Sequence, residues 1–259
     1  MFIPEEDNMF PPLRITVYRC SWCEVRSRGD AHIARPTWRF YWYPDGGAGI
    51  EFQNSAYEPS GDHLLVIPPH TAIRHLLSRP CPHFYVHAKV GQPYDSLSGR
   101  IFKVKANAGI KELMLKLRDS EASSGIKLLK ACSLITWILS SLPEDIWPDR
   151  PKDPRLLKVL ELLHSSPHRQ YRQPNLARTA GLSRNAFARL FKMQTSQSPN
   201  AYLVACRLNQ ACEMLLYTGR SIEEIATLCG FRDRNYMSRV FKAKLGTSPA
   251  RYRRTGIAP

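Results

Sequence analysis

Hydrophobic periodicity divides the chain into two kinds of segment. From about Leu13 to Val104 short β-rich runs alternate with turn signals: Arg39 to Tyr43, Gly49 to Phe52, Leu64 to Ile67 and Phe84 to His87, separated by Pro44 to Gly47, Gly61-Asp62 and Pro68-Pro69. Runs of this length with aromatic and β-branched content, punctuated at roughly eight to twelve residues, predict an antiparallel barrel or sandwich. The period then changes. Ile110, Leu113, Met114 and Leu117 follow the i, i+3, i+4, i+7 pattern of an amphipathic helix. Leu128, Cys132, Ile135, Leu139 and Leu142 draw an apolar seam of period 3.5, suited to a helix packed on its own sheet or to the dimerisation seam of a homodimer. Prolines at 143, 148, 151 and 154 break that pattern. The expected organisation is an α+β two-domain chain: a β-barrel over 1–106, a helical candidate dimerisation segment over 107–142, a Pro-rich linker over 143–153 and an all-α domain over 154–259.

The last segment contains an internal repeat. Arg184-Asn-Ala-Phe-Ala-Arg-Leu-Phe-Lys192 recurs fifty residues later as Arg234-Asn-Tyr-Met-Ser-Arg-Val-Phe-Lys242, and Ser198-Pro199-x-x-Tyr202 recurs as Ser248-Pro249-x-x-Tyr252. Eight of the nineteen positions from 184 to 202 are identical at this offset, so a structural unit is duplicated. Each copy has the layout of a helix-turn-helix. In the first, Leu176, Ala177 and Ala180 form one apolar face, Gly181 supplies the turn, and Ser183 caps a helix with Phe187, Leu190 and Phe191 inward. In the second, Ser221 caps a helix with Ile222, Ile225, Ala226 and Cys229 inward, Gly230 turns the chain, and Met237, Val240 and Phe241 face the core. A long helix from Pro199 to about Tyr217 joins the copies.

Charge gives the repeat a partner. The chain carries a formal +15, and residues 154–259 hold 18 Lys and Arg against 5 Asp and Glu, a net +13. A polyanion neutralised with counterion release accounts for that concentration, and double-stranded DNA fits a duplicated helix-turn-helix. The remaining chemistry is sparse. Apolar stretches such as Leu64 to Ile67 and Leu134 to Leu139 fall far short of the ~20 residues of a bilayer span, and Met1 to Met9 lacks the order of a secretory signal. Together these imply a cytoplasmic protein with no membrane partner. Seven cysteines include one CxxC pair, Cys20 and Cys23, with no second pair at zinc-site spacing. No nucleophile and base stand at a telling spacing. Neither a metal, a cofactor nor an enzyme activity is expected.

Residues 153–259 resemble the DNA-binding domain of the AraC/XylS family of bacterial transcription regulators. The stretch that carries the resemblance runs from Ser221-Ile-Glu-Glu-Ile-Ala-Thr-Leu-Cys-Gly-Phe231, through Tyr236-Met-Ser-Arg-Val-Phe-Lys242, to Gly246-Thr-Ser-Pro249 and Tyr252-Arg253. Ser196 departs from the pattern, standing where a glycine commonly follows the first recognition helix. The resemblance implies base reading by Arg184, Asn185, Ala188 and Arg189 and by Arg234, Asn235, Ser238 and Arg239, since Arg suits guanine and Asn adenine. Lys192, Arg207, Lys242 and Arg251 are the expected phosphate contacts, which set register and not sequence.

The β-rich segment resembles, more loosely, the cupin-like sensor of the sugar-responsive members, through Arg35-Pro36, Gly61-Asp62, Ile67-Pro68-Pro69 and His75. It lacks the His-x-His pair and later Glu of a metal cupin. By this resemblance Arg35 binds the effector, with Trp38, Trp42, His75, Tyr85 and His87 around it. The implied function is an effector-responsive, sequence-specific regulator: a homodimeric activator of carbohydrate-use genes that takes a small molecule, in the first place a sugar, an operator and RNA polymerase as partners. A regulator controlled by a protein partner, or with no small-molecule effector, is the alternative.

Overall fold

The structure is a computed structural model and describes residues 13–26, 34–91, 94–118, 124–147 and 153–256. Met1 to Met9, Pro148 and Pro151 lie outside the described residues. The chain divides into two compact units, 1–148 and 149–259.

Among the described residues eight strands build the first unit: β1 (Thr16–Val25), β2 (Trp38–Trp42), β3 (Ala48–Phe52), β4 (Ser55–Tyr57), β5 (His63–Ile67), β6 (Arg74–Leu77), β7 (Cys81–Lys89) and β8 (Phe102–Lys105). They pair antiparallel into a five-stranded sheet, β1-β7-β2-β5-β8, and a three-stranded sheet, β4-β3-β6. The expected barrel is corrected on this point, because among the described residues the strands form two sheets with free edges and no closed cylinder. Side chains alternate along each strand, so the two faces of the larger sheet bury different cores. On one face Trp38, Phe40, Trp42, Phe84, Val86 and Ala88 pack beneath two helices, α1 (Ala108–Arg118) and α2 (Ser124–Ser140). On the other, Tyr41, Tyr43, Leu65, Ile67 and Cys81 meet Ala48 and Ile50 of the smaller sheet.

The heptad seam of α2 is spent mostly inside the unit. Ile135, Leu139 and Leu142 are buried with Ile110 and Met114 in the sheet–helix core, so they cannot serve as a dimer surface. Leu128 and Cys132 lie toward the open flank, where Ile126, Leu129 and Trp137 are also exposed. The pattern saw a helix with one apolar stripe; its own sheet takes most of that stripe.

The described residues of the second unit are all helical in their regular structure: α3 (Pro154–Ser165), α4 (Gln173–Thr179), α5 (Arg184–Thr195), α6 (Pro199–Tyr217), α7 (Ile222–Leu228), α8 (Arg234–Leu245) and α9 (Pro249–Gly256). It has two cores. Leu156, Val159, Leu163, Leu176, Ala177, Phe187, Phe191 and Leu203 form the first, around α4 and α5. Leu208, Ala211, Leu215, Ile225, Ala226, Met237, Phe241 and Tyr252 form the second, around α7 and α8. The helix α6 contributes Leu203 to one and Leu208 onward to the other, so both cores share a single spine.

Candidate nucleic-acid interface

Each helix pair turns by the same backbone device. Behind α4, Ala180 N–H donates to Leu176 C=O, Gly181 to Arg178 and Leu182 to Ala177; behind α7, Cys229 donates to Ile225, Gly230 to Thr227 and Phe231 to Ala226. Gly181 and Gly230 take φ of +62° and +78°, which an L side chain adopts only at a cost. These two turns are offset by 49 residues, whereas the helices that follow are offset by 50. The second turn is therefore one residue longer, and Arg232 is the addition.

That insertion changes the cap. Ser183 accepts from Ala186 N–H at 3.3 Å to start α5, while Asp233 accepts from Tyr236 N–H at 2.6 Å to start α8. Hydrogen bonds from Tyr236 N–H and the Arg232 guanidinium hold the Asp233 carboxyl below the usual range. The helices before the turns also differ. Ser221 and Glu224 close a reciprocal capping box at α7, whereas α4 begins on Arg172 with no side-chain cap.

The residues expected to read bases share the outward faces of α5 and α8. Arg184, Asn185 and Arg189 on α5 are exposed, as are Arg234, Asn235 and Arg239 on α8, and Ala188 and Ser238 are half-buried at equivalent positions between them. Opposite them Phe187 and Phe191, and Met237 and Phe241, are fully buried. Lys192 and Lys242 are exposed near the ends of these helices, and Arg251 is exposed on α9.

Arg207 is a correction. Its guanidinium is buried under the first core and donates to Pro167 C=O and to Arg169 C=O, each at 2.8 Å, so it ties α6 to the α3–α4 connection and faces no phosphate. Composition could not separate it from the exposed arginines; its place beside Leu208 and one turn ahead of Ala211, on the inward stripe of α6, was the available signal.

The surroundings of the arginines expected to read bases were missed. Tyr236 holds the guanidinium of Arg232 on its ring at 5.9 Å and that of Arg239 also at 5.9 Å, and is itself braced edge-on by Phe231. At the corresponding place in α5 stands Ala186. In the first copy Arg184 instead donates weakly, at 3.4 Å, to Gln173. Ser196 takes the left-handed conformation at φ +58°, as Gly246 does at +69° after α8, so the turn persists without the glycine.

The sensor residues divide by strand phase. Trp38 and Trp42 are corrected: both lie on the helix-facing side of β2, with Trp38 Nε1 donating to Asp95 and Trp42 Nε1 to Gly61 C=O. On the opposite face Arg39 and Tyr41 of β2 and His83, Tyr85 and His87 of β7 come together, with His75 of β6 reaching from the smaller sheet to within 5.5 Å of Tyr41. Tyr41 Oη lies 3.2 Å from His87 Nε2. Arg35, three residues ahead of β2, is buried. Burial and the neighbouring arginines depress His75 to about 4; burial and His75 take His83 to about 3. Arg39, Tyr41 and His83 were absent from the expected set, although alternation from Tyr85 and His87 places His83 on their face. Cys20 and Cys23 are free thiols, burial raises both above their ordinary range, and no group of three metal-ligating side chains occurs among the described residues.

Residues 176–255 match a family model described as a helix-turn-helix domain. The chain is 31% identical over 141 residues to the HTH-type transcriptional activator RhaR of Klebsiella pneumoniae, covering 54% of this chain and 50% of that protein. It is 36% identical over 95 residues to the activator RhaS of Yersinia pestis, covering 37% of this chain and 35% of that protein. The chain thus spans half or less of the curated relatives it matches. A crystal structure of ToxT from Vibrio cholerae superposes on 94% of this chain and 98% of its own, with a TM-score of 0.55 at 13% identity, a likeness of fold alone.

The second unit is a duplicated helix-turn-helix DNA-binding domain. The relatives it matches over this stretch are named HTH-type transcriptional activators.

Proposed function

We propose that the chain is a sequence-specific transcription activator whose two helices α5 and α8 read successive major grooves and whose first unit is a cupin-like, effector-binding sensor. The observation that carries the DNA reading is the repeated face: an exposed Arg-Asn pair and a second Arg one turn on, over a fully buried aromatic or Met ridge, in each copy. Arg184, Asn185, Ala188 and Arg189 face one half-site and Arg234, Asn235, Ser238 and Arg239 the other, with Lys192, Lys242 and Arg251 on phosphates. Because Ala188 stands where Ser238 does, the half-sites differ.

The sensor takes its effector between the sheets, where Arg35, His75, Tyr85 and His87 lie with Arg39, Tyr41 and His83. Effector binding shifts the population of DNA-competent states through differential affinity. The exposed flank of α2 is the surface we assign to a homodimer contact, and RNA polymerase is the activator's partner on the operator. No helix among the described residues is long and apolar enough to cross a membrane, in keeping with the cytoplasmic site such a regulator needs.

Selection of duplexes from a random library, followed by footprinting, tests this reading. Two unlike protected half-sites about one helical turn apart are expected. Affinity that is equal across sequences and varies only with salt overturns it.

A further inference from the structure

Three side chains of the second unit form a cluster that base reading does not use. His164 stands in the last turn of α3, and Tyr202 and Cys206 stand one turn apart on α6. His164 Nε2 lies 2.7 Å from Tyr202 Oη, and His164 Nδ1 lies 3.9 Å from Cys206 Sγ. The imidazole bridges a phenol and a thiol, and all three residues are half-buried. With its hydrogen on Nε2, the ring donates to Tyr202 Oη and turns the Nδ1 lone pair toward the thiol. This is the order of orienting group, base and nucleophile that activates a cysteine. The carbonyl end of α3 favours the imidazolium form of His164, and with it the thiolate of Cys206.

The duplicated fold does without the histidine and the thiol. Tyr202 and Tyr252 are equivalent, and each stands edge-on to an inner aromatic, Phe191 of α5 at 5.4 Å and Phe241 of α8 at 5.2 Å. Burial aligns Leu160 and Leu163 of α3 with Cys212 and Leu215 of α6, which puts the buried Leu216 in the place of His164. Gly256 stands fifty residues after Cys206. The tyrosine therefore belongs to the repeated core, whereas His164 and Cys206 are particular to the first copy. The other six cysteines lie differently. Burial raises each of their thiols above its ordinary range, Cys20 to about 11 and Cys229 to about 12.

We propose that Cys206 is a modification site: a nucleophilic thiol, activated by His164, that a small peroxide oxidises to a sulfenic acid. The thiol proton passes to His164 Nδ1. The thiolate sulfur then attacks one peroxide oxygen, so that the S–O bond forms and the O–O bond breaks. The departing oxygen takes the proton from His164 and leaves as water when the oxidant is hydrogen peroxide. Sulfur is oxidised, the peroxide is reduced, and a thiol reductant reverses the change. The added oxygen stands between α3 and α6 and parts His164 from Tyr202, whose ring lies against Phe191 on the inner side of α5. Resting here on the proposed reading of DNA, oxidation loosens the half-site held by α5 and spares the one held by α8.

The test uses the full chain, with iodoacetamide as a probe of nucleophilicity and hydrogen peroxide as oxidant, both read by peptide mass mapping. Cys206 should alkylate about tenfold faster in the folded chain than in the urea-unfolded chain. It should also be the first thiol that peroxide converts to a dimedone-trapped adduct. His164→Leu, which takes the residue of the second copy, should remove the rate advantage and lower the thiolate ultraviolet absorbance. Tyr202→Phe should remove part of the advantage. A Cys206 that alkylates no faster folded than unfolded, or a His164→Leu variant that keeps the full rate, overturns the proposal. The wild-type comparison decides this even if His164→Leu does not fold. Footprints taken before and after peroxide should lose protection at the α5 half-site alone, with recovery in dithiothreitol and no loss in Cys206→Ser. Oxidation of Cys206 that leaves both half-sites protected overturns the link to DNA. A chain that protects no half-site before peroxide refutes the reading of DNA and leaves the thiol chemistry, measured without DNA, standing.

Discussion

Arg189 and Arg239 occupy the same place on equivalent helices but have different neighbours. Arg239 lies on the Tyr236 ring beside Arg232, and Tyr236 rests on Phe231; the first copy has Ala186 in place of the tyrosine. A guanidinium held on a ring loses less freedom when it meets a base. On the proposed reading of bases by Arg239, Tyr236 is a positioning residue for it. Tyr236→Leu should reduce discrimination at the base position that Arg239→Ala abolishes, by about two- to fivefold, with the salt dependence of binding unchanged and Tyr236→Phe close to wild type. Measuring binding to operators substituted at each position checks this, and an equal loss on every sequence would assign Tyr236 to the fold alone. None of this was legible in the repeat, because identity at Arg184 and Arg234, and at Arg189 and Arg239, records shared position and says nothing of what each side chain rests on. Arg207 shows the same limit from the other side. One more arginine in a basic half, it proved to be a buried strut.

At the scale of elements, the turn glycines are equivalent in backbone but unequal in surroundings. A Cβ on Gly181 meets nothing within 4 Å, whereas one on Gly230 would stand 2.4 Å from the His168 carbonyl oxygen. Gly181→Ala should therefore cost only the left-handed penalty of about 1–2 kcal/mol. Gly230→Ala adds a backbone collision and should cost about 3 kcal/mol or more. Chemical denaturation of each variant, with tryptophan-free probes in the second unit such as amide exchange in α7, measures the difference; equal losses would mean that the His168 segment gives way freely. Helices, caps and turns in this unit were largely readable, since Ser183, Ser221, Gly181 and Gly230 are local signals and the apolar stripes have one period. In the sheets the strands were readable and the phase was not. Trp38 and Trp42 were expected beside Tyr85 and His87, yet cross-strand pairing puts Phe84 opposite Trp42 and Tyr85 opposite Tyr41. A one-residue change of phase moves a side chain to the other face, and burial along β2 does not set it, because both of its faces are buried.

For the whole molecule, the two units should respond differently to acid. His83 and His87 are buried and His75 nearly so, and burial with the adjacent arginines places His75 at about 4, His83 at about 3 and His87 well below its ordinary value. In the unfolded chain each titrates near 6.5, so between these values the unfolded state binds more protons. Stability of the first unit therefore falls as pH drops below about 6.5, each such histidine contributing a slope of about 1.4 kcal/mol per pH unit until its folded pKa is reached. In the second unit the lowered carboxyls are those of Asp153, Glu224 and Asp233, whose stabilisation is present above the unfolded carboxylate range and is lost only as pH falls through their folded values. Thermal melts from pH 7 to 4 should show the sheet unit weakening first while helical signal from the second persists; simultaneous loss of both would contradict this. The division into a β-rich half and a helical half was plain from periodicity. That the strands form two open sheets was not, since closure depends on which distant edges meet.

The spine α6, shared by both cores, has a consequence for inheritance. Its inward residues serve two partners at once and are tied to both, while the exposed positions at 184, 185 and 189, or at 234, 235 and 239, touch neither core. If those positions read bases as proposed, a lineage carrying this domain can learn a new operator one half-site at a time, rewriting the letters on one helix while the other keeps its grip on the old address.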